Sequence, residues 1–158
     1  MSLFRFLVSD NPLVEVDYRG ITEMKVKDIK KLQPTPDPGF FQSWDEVDEE
    51  MTVLFAENES AFDSLCIIAC NNPPFDLEFY VKDKYVYSLG GDCRETSLRQ
   101  LAAYVMANIQ VGDNAQLLAF WAGDGKQTLK TSKIPLTEVT ASQLEVIQNT
   151  SGHLIKFV

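Results

Sequence analysis

Histidine is nearly absent from this chain of 158 residues, and cysteine is scarce, with one His at position 153 and three Cys at 66, 70 and 93. A tetrahedral zinc site takes four ligands, usually as two close Cys or His pairs, and only Cys66 and Cys70 make a pair here. No metal or other cofactor is therefore expected. An odd cysteine count in a chain of this size makes no disulfide framework, so reduced thiols are the expectation. Cys66 and Cys70 lie four apart in the apolar run LCIIAC, where a strand puts both on one face. Positive charge is also short, since 14 Lys+Arg against 23 Asp+Glu leave a net charge of -9 and a pI near 4.5. Affinity for nucleic acid depends on Lys and Arg displacing counterions, so nucleic acid is not an expected ligand. Long hydrophobic runs are missing too. A transmembrane helix needs roughly 18 consecutive apolar residues, and LCIIAC and LLAFWAG fall far short. The start, MSLFRFLVSD, lacks the charged n-region and long h-region of a signal peptide. The expectation is a soluble, cytoplasmic protein without membrane contact, whose acidity favours basic partners. Oligomeric state leaves no mark in the sequence.

What is present points to one α+β domain over residues 1–158, with a mixed or mainly antiparallel sheet. The clearest block runs from Asp76 to Gly123. In DLEFYV, Leu77, Phe79 and Val81 alternate with Glu78 and Tyr80, and YVYSL repeats the pattern, so the pair reads as a hairpin joined by Lys82, Asp83 and Lys84. Gly90 and Gly91 release the chain, and Asp92 with Glu95 matches a capping box. Leu98, Leu101, Ala102, Val105 and Ile109 then fall on one face of a 3.6-residue period, predicting a helix over about 95–109 that packs on one face of the sheet. Gly112 is its expected stop. AQLLAFWAG has too little polar alternation for an edge and belongs inside the sheet.

Elsewhere, Phe4, Phe6 and Val8 predict an N-terminal strand ended by Asp10, Asn11 and Pro12, and LVEVDY a second extended piece. The opening Phe4-Arg5-Phe6-Leu7-Val8-Ser9-Asp10-Asn11-Pro12-Leu13 resembles that of a group of small bacterial proteins. The likeness covers about the first sixteen residues and the general layout, and implies no activity, cofactor or catalytic residue. Val26, Ile29 and Leu32 mark a short helix with a basic outer side. The segment QPTPDPG, at about 33–39, stops it and forms a stiff loop. Residues 51–56 fit either helix or strand, a strand beside LCIIAC being preferred, and Asn71 to Pro74 reads as a turn. GDGKQ is a turn and not a Walker loop, because the first Gly and the final Ser or Thr are missing. Thr140 with Gln143 forms a capping box, and Val139 with Leu144 a staple, for a short C-terminal helix over Ala141 to Gln148. Gly152 ends that helix, and HLIKFV closes the chain as a strand.

Two stretches bear on function. Phe40, Phe41 and Trp44 follow the proline-rich loop and lead into five carboxylates, Asp45, Glu46, Asp48, Glu49 and Glu50. The run lacks the spacing of an EF-hand. Ser43 with Glu46 matches a capping box, and Trp44, Val47 and Met51 stand at helical spacing. A solvated acidic helical turn is the plain reading. The functional one is a surface for a basic protein partner, with aromatic anchors at Phe40, Phe41 and Trp44 and steering by Asp45, Asp48, Glu49 and Glu50. The other stretch is Cys93 to Arg99, which has the C-x5-R spacing of cysteine-dependent phosphatases at a helix start. Helix amides and an arginine there could hold a phosphoryl group. Glu95 in the cradle, no Gly between Cys93 and Arg99, and Gln100 in place of a hydroxyl residue all oppose it. Cys93 and His153 could also meet in space as a dyad. The leading expectation is a non-catalytic interaction or regulatory protein, with a small cysteine-dependent hydrolase as the alternative.

Overall fold

The computed structural model describes residues 2–82, 84–149 and 151–158. In chain order the elements are β1 (Ser2–Ser9), β2 (Val16–Asp17), β3 (Ile21–Lys25), α1 (Val26–Ile29), β4 (Thr52–Ala56), β5 (Cys66–Ala69), β6 (Tyr85–Gly90), α2 (Glu95–Asn108), β7 (Gln116–Ala122), β8 (Lys130–Ile134), α3 (Ala141–Leu144) and β9 (His153–Phe157). The fold is α+β, as the sequence predicts. Two compact units make it up, residues 20–61 and the remainder of the chain.

The larger unit is built on a seven-stranded sheet of order β2-β5-β6-β1-β7-β9-β8, antiparallel except for the β8/β9 pair. Its centre is the β1/β7 ladder, which sets Leu7 opposite Leu117 and Phe6 opposite Leu118. Period two sends these pairs to opposite faces. On one face Leu7, Leu117 and Ile155 join Leu98, Leu101, Ala102 and Val105 of α2, and Ile109 just past its end, in a single buried cluster. The helical stripe therefore packs where its spacing predicts. On the other face Phe6, Val8, Leu118, Phe120 and Leu154 are covered by Leu77 and Val81. With both faces buried, Phe6 to Val8 and Leu117 to Phe120 are nearly without solvent exposure.

The hairpin expected from DLEFYV does not form. Phe75–Phe79 winds into a 3-10 turn after Pro74, and β6 pairs instead with β1 and β5. Leu77 and Val81 are buried, yet Phe79 between them is half exposed. A spacing of four belongs to both periods, and only the middle residue tells them apart. Asp83 of the expected connection lies outside the described residues.

The start of α2 also differs. Its N-cap is Arg94, and Asp92 accepts hydrogen bonds from the Arg94 amide at 2.8 Å and from Ser97 Oγ at 2.8 Å, so the Asp92/Glu95 box is not made. The helix ends at Asn108, and Gly112 lies in a separate 3-10 turn. The Thr140/Gln143 box is present in both directions, with Val139 and Leu144 buried as its staple, and a 3-10 turn continues α3 to Gln148. β5 pairs with β2 and β6, not with β4.

The unit of residues 20–61 pairs β3 with β4 in register from Ile21 opposite Ala56 to Lys25 opposite Thr52. Between them run α1, the proline-rich segment and a 3-10 turn over Trp44–Glu46. Val26, Ile29 and Val47 are its buried apolar residues, along with Ala61. No helix among the described residues is long and apolar enough to cross a membrane.

Gly91 tests the packing that launches α2. Its φ is +106°, and a Cβ there would stand 2.8 Å from Ser64 O and 3.1 Å from Asp63 O. Gly91→Ala should cost about 1–3 kcal/mol in urea unfolding, whereas Gly112→Ala, with open space around it, should be close to neutral. Equal midpoints for the two variants would contradict the tight approach.

Candidate functional site

The β3/β4 register carries past the strand ends. Val26 N donates to Met51 O at 3.0 Å and Lys27 N to Glu49 O at 3.1 Å, which sets the basic side of α1 against the acidic run. Lys25 and Lys27 both reach Glu50, at 2.5 and 2.6 Å. Lys30 bridges Asp45 at 2.8 Å and Glu49 at 3.1 Å. Asp48 is exposed and closes its own turn, with Oδ1 accepting from the Glu50 amide at 2.9 Å.

Hydrogen bonds from Lys25 and then Lys27 hold the Glu50 carboxyl down to about 2, against an ordinary value of 4.5. Asp45 is lowered by its hydrogen bond from Lys30. In return Lys27 is raised by Glu50, and Lys30 by Asp45 and then Glu49. All these groups face solvent, so the network orders the loop more than it stabilises the fold. The acidic run is thus partly neutralised from within. The lysines were legible as a basic helix side, but nothing local to the acidic run indicated that strand register would bring the two together.

The aromatic anchors stand on the same loop. Phe40 is fully exposed at 107%, Phe41 is 40% exposed, and Trp44 is partly buried. Trp44 Nε1 donates to Pro36 O at 2.7 Å, and its ring lies 6.2 Å from that of Phe41 at 42°. The proline-rich segment therefore fixes the indole. Ser43 Oγ accepts from the Asp45 amide at 3.2 Å, so Ser43 caps the turn, but the expected Ser43/Glu46 capping box is not made. The helical stripe is corrected as well. Only Trp44–Glu46 is wound, and Val47 leaves in extended backbone.

Cys93 and Arg99 are not brought together. Cys93 is buried in the cluster with Leu7, Leu98 and Leu101. Burial pushes its thiol up, and nearby Arg5 offsets this only in part. Arg99 is exposed and pairs with Glu95 one turn back. The amide of Arg94 and the hydroxyl of Ser97, which a bound anion would need, are both occupied by Asp92. A C-x5-R spacing closes around an anion only when the intervening residues form an open loop. Here Glu95 to Arg99 are already helix. His153 is buried, with Nδ1 3.1 Å from Ser151 O. Among the described residues no group of three or more His, Cys, Asp or Glu could hold a metal ion.

No protein family matches this chain, and no curated protein and no solved structure shows significant similarity to it. Function must therefore be argued from its own residues.

Two measurements follow from this geometry. A carboxyl lowered on folding stabilises fully above its unfolded value and loses that contribution as pH falls through the folded one. Glu50 should therefore titrate by NMR near pH 2, and stability should fall between about pH 4.5 and 2 with a slope that Lys25→Ala/Lys27→Ala reduces. A Glu50 midpoint near 4.5 would show the pairs absent in solution. In the native protein, Cys93 should be carboxymethylated at pH 7.5 much more slowly than in urea, as read by peptide mass spectrometry. Rapid native modification would contradict its burial.

Proposed function

We propose that this chain is a non-catalytic interaction or regulatory protein that engages a basic protein partner through Phe40, Phe41, Trp44 and the carboxylates of the same loop. The observation carrying the reading is Phe40, wholly exposed on the loop whose tryptophan is held by a hydrogen bond to Pro36. Exposed aromatic anchors beside a fixed scaffold are the usual carriers of binding energy.

Charge supports the nature of the partner. Residues 20–61 hold ten carboxylates and four lysines, a net of -6 within a chain of -9. All four lysines are engaged by Asp28, Asp45, Glu49 and Glu50. Six carboxylates in this unit, including Asp37, Glu46 and Asp48, have no ion pair among the described residues, so the outward field is negative. Such a field speeds encounter with a basic surface more than it tightens the bound state. Three free thiols agree with a reducing, cytoplasmic setting.

The pairing changes which residues test the surface. Reversing Glu49 or Glu50 would break the lysine network, whereas Phe40, Glu46 and Asp48 report on the outward face. A basic protein captured by the chain from lysate, then purified, should bind Phe40→Ser at least about tenfold more weakly by calorimetry. Glu46→Lys with Asp48→Lys should mainly slow association and flatten its salt dependence. Unchanged affinity and unchanged association rate across these folded variants would remove the proposed surface.

A further inference from the structure

The same loop carries a groove, and we infer that it receives an arginine side chain from the basic partner, an assignment that rests on the surface proposed above. The groove is about 500 Å³ and open to solvent, and Pro36, Asp37, Pro38, Trp44, Asp45 and Lys30 are among its lining residues. That volume suits one long side chain with its flanking backbone, not a folded element.

Gln42, Thr35 and Ser43 also line the groove, and the charged groups of its walls favour a cation. Proline has no backbone N–H, so Pro36 and Pro38 contribute no main-chain donors. The Trp44 indole N–H is already spent on the Pro36 carbonyl. Lys30, the one cation lining the groove among the described residues, is held between Asp45 and Glu49, and that triad carries a net -1. Asp37 adds a second negative charge. Its Oδ1 accepts from the Gly39 amide at 2.7 Å, and this bond orients the carboxylate while Oδ2 makes no hydrogen bond among the described residues. The site therefore offers a fixed indole beside an oriented carboxylate. A guanidinium uses both at once, stacking on the ring and donating to the carboxylate, and it sheds water more readily than an ammonium does. Lysine would satisfy the charge without the planar fit.

The test titrates the full chain with a short Gly/Ser peptide carrying two arginines, and with its lysine and citrulline counterparts. The readouts are the Trp44 indole N–H resonance and the dissociation constant. The arginine peptide should bind about two- to fivefold more tightly than the lysine peptide. Citrulline, isosteric and neutral, should give no saturable shift. Asp37→Asn, a change at an exposed position, should abolish the arginine preference while leaving the Trp44 resonance of the free protein in place. Equal binding of arginine and lysine peptides, or a preference that survives Asp37→Asn, overturns the assignment. So does the absence of any peptide shift while the protein partner still binds in a Phe40-dependent way. Loss of that Phe40 dependence would instead remove the surface reading beneath it.

Discussion

The β1/β7 ladder is the constraint from which the larger unit follows. Seven residue pairs run from Ser2 opposite Ala122 to Val8 opposite Gln116, and each pair commits its side chains to one face or the other. Once Leu7 and Leu117 point one way, the apolar stripe of α2 has a surface to cover. Once Phe6, Leu118 and Phe120 point the other, something must cover them as well. A central antiparallel pair with both faces apolar cannot be left half solvated, because each exposed Leu or Phe forgoes about 1.5–3 kcal/mol of burial. The 3-10 turn over Phe75–Phe79 is the chain's answer on the second face. There Tyr80 lies 5.0 Å from Phe120 by ring centroid, and Leu77 and Val81 close the layer. A slip of one residue between β1 and β7 would exchange the two faces and undo both layers together.

That dependence explains which parts of the fold the sequence discloses. Leu98, Leu101, Ala102, Val105 and Ile109 are legible because five positions agree on one period, and no strand reproduces that agreement. β7 is legible because an apolar run of its length has few other homes. Leu77 and Val81 are misleading for the opposite reason. Two residues four apart are shared by helix-like turns and strands, and Phe79 is the arbiter only once its exposure is known. β3 and β8 leave almost no pattern. In Lys130–Ile134 only Ile134 is buried, so this edge strand is specified by its parallel pairing with β9 and not by its own side chains. Edge strands rich in lysine resist further pairing, which suits such a sequence to the place it occupies. The candidate surface was visible in outline, as aromatics followed by carboxylates. Its lysine network was not, since Lys25 and Glu50 meet through strand register across 25 positions.

The smaller unit solves a different problem. Two short strands are marginal by themselves, and the connection between β3 and β4 must be ordered without much apolar material. Val26, Ile29 and Val47 supply what burial there is. The remainder is done by geometry. The Pro34, Pro36 and Pro38 backbone has little freedom to lose on ordering, and Pro36 presents its carbonyl to Trp44. The ion pairs then hold the far side of the loop to α1. Their small individual worth at the surface is compatible with this role. They restrict a loop whose prolines leave less conformational entropy to oppose them.

On the reading proposed above, that restriction serves more than the joining of two strands. A connector can be polar and loose, and nothing in the β3/β4 ladder calls for an exposed phenylalanine. Phe40 gains no burial where it stands, so its side chain contributes nothing to folding that a serine would not. The loop nevertheless spends prolines, a tryptophan hydrogen bond and four lysine–carboxylate contacts on the segment that displays it. On the proposed reading the pattern is that of preorganisation, in which conformational freedom is removed before binding so that association need not remove it later. The charge arrangement agrees. Lysines absorb the carboxylates nearest the turn, where mutual repulsion would otherwise loosen it, and the six that remain set the sign of the field felt by an approaching surface. Order at short range and negative potential at long range are separate requirements, and a single segment of residues 20–61 satisfies both.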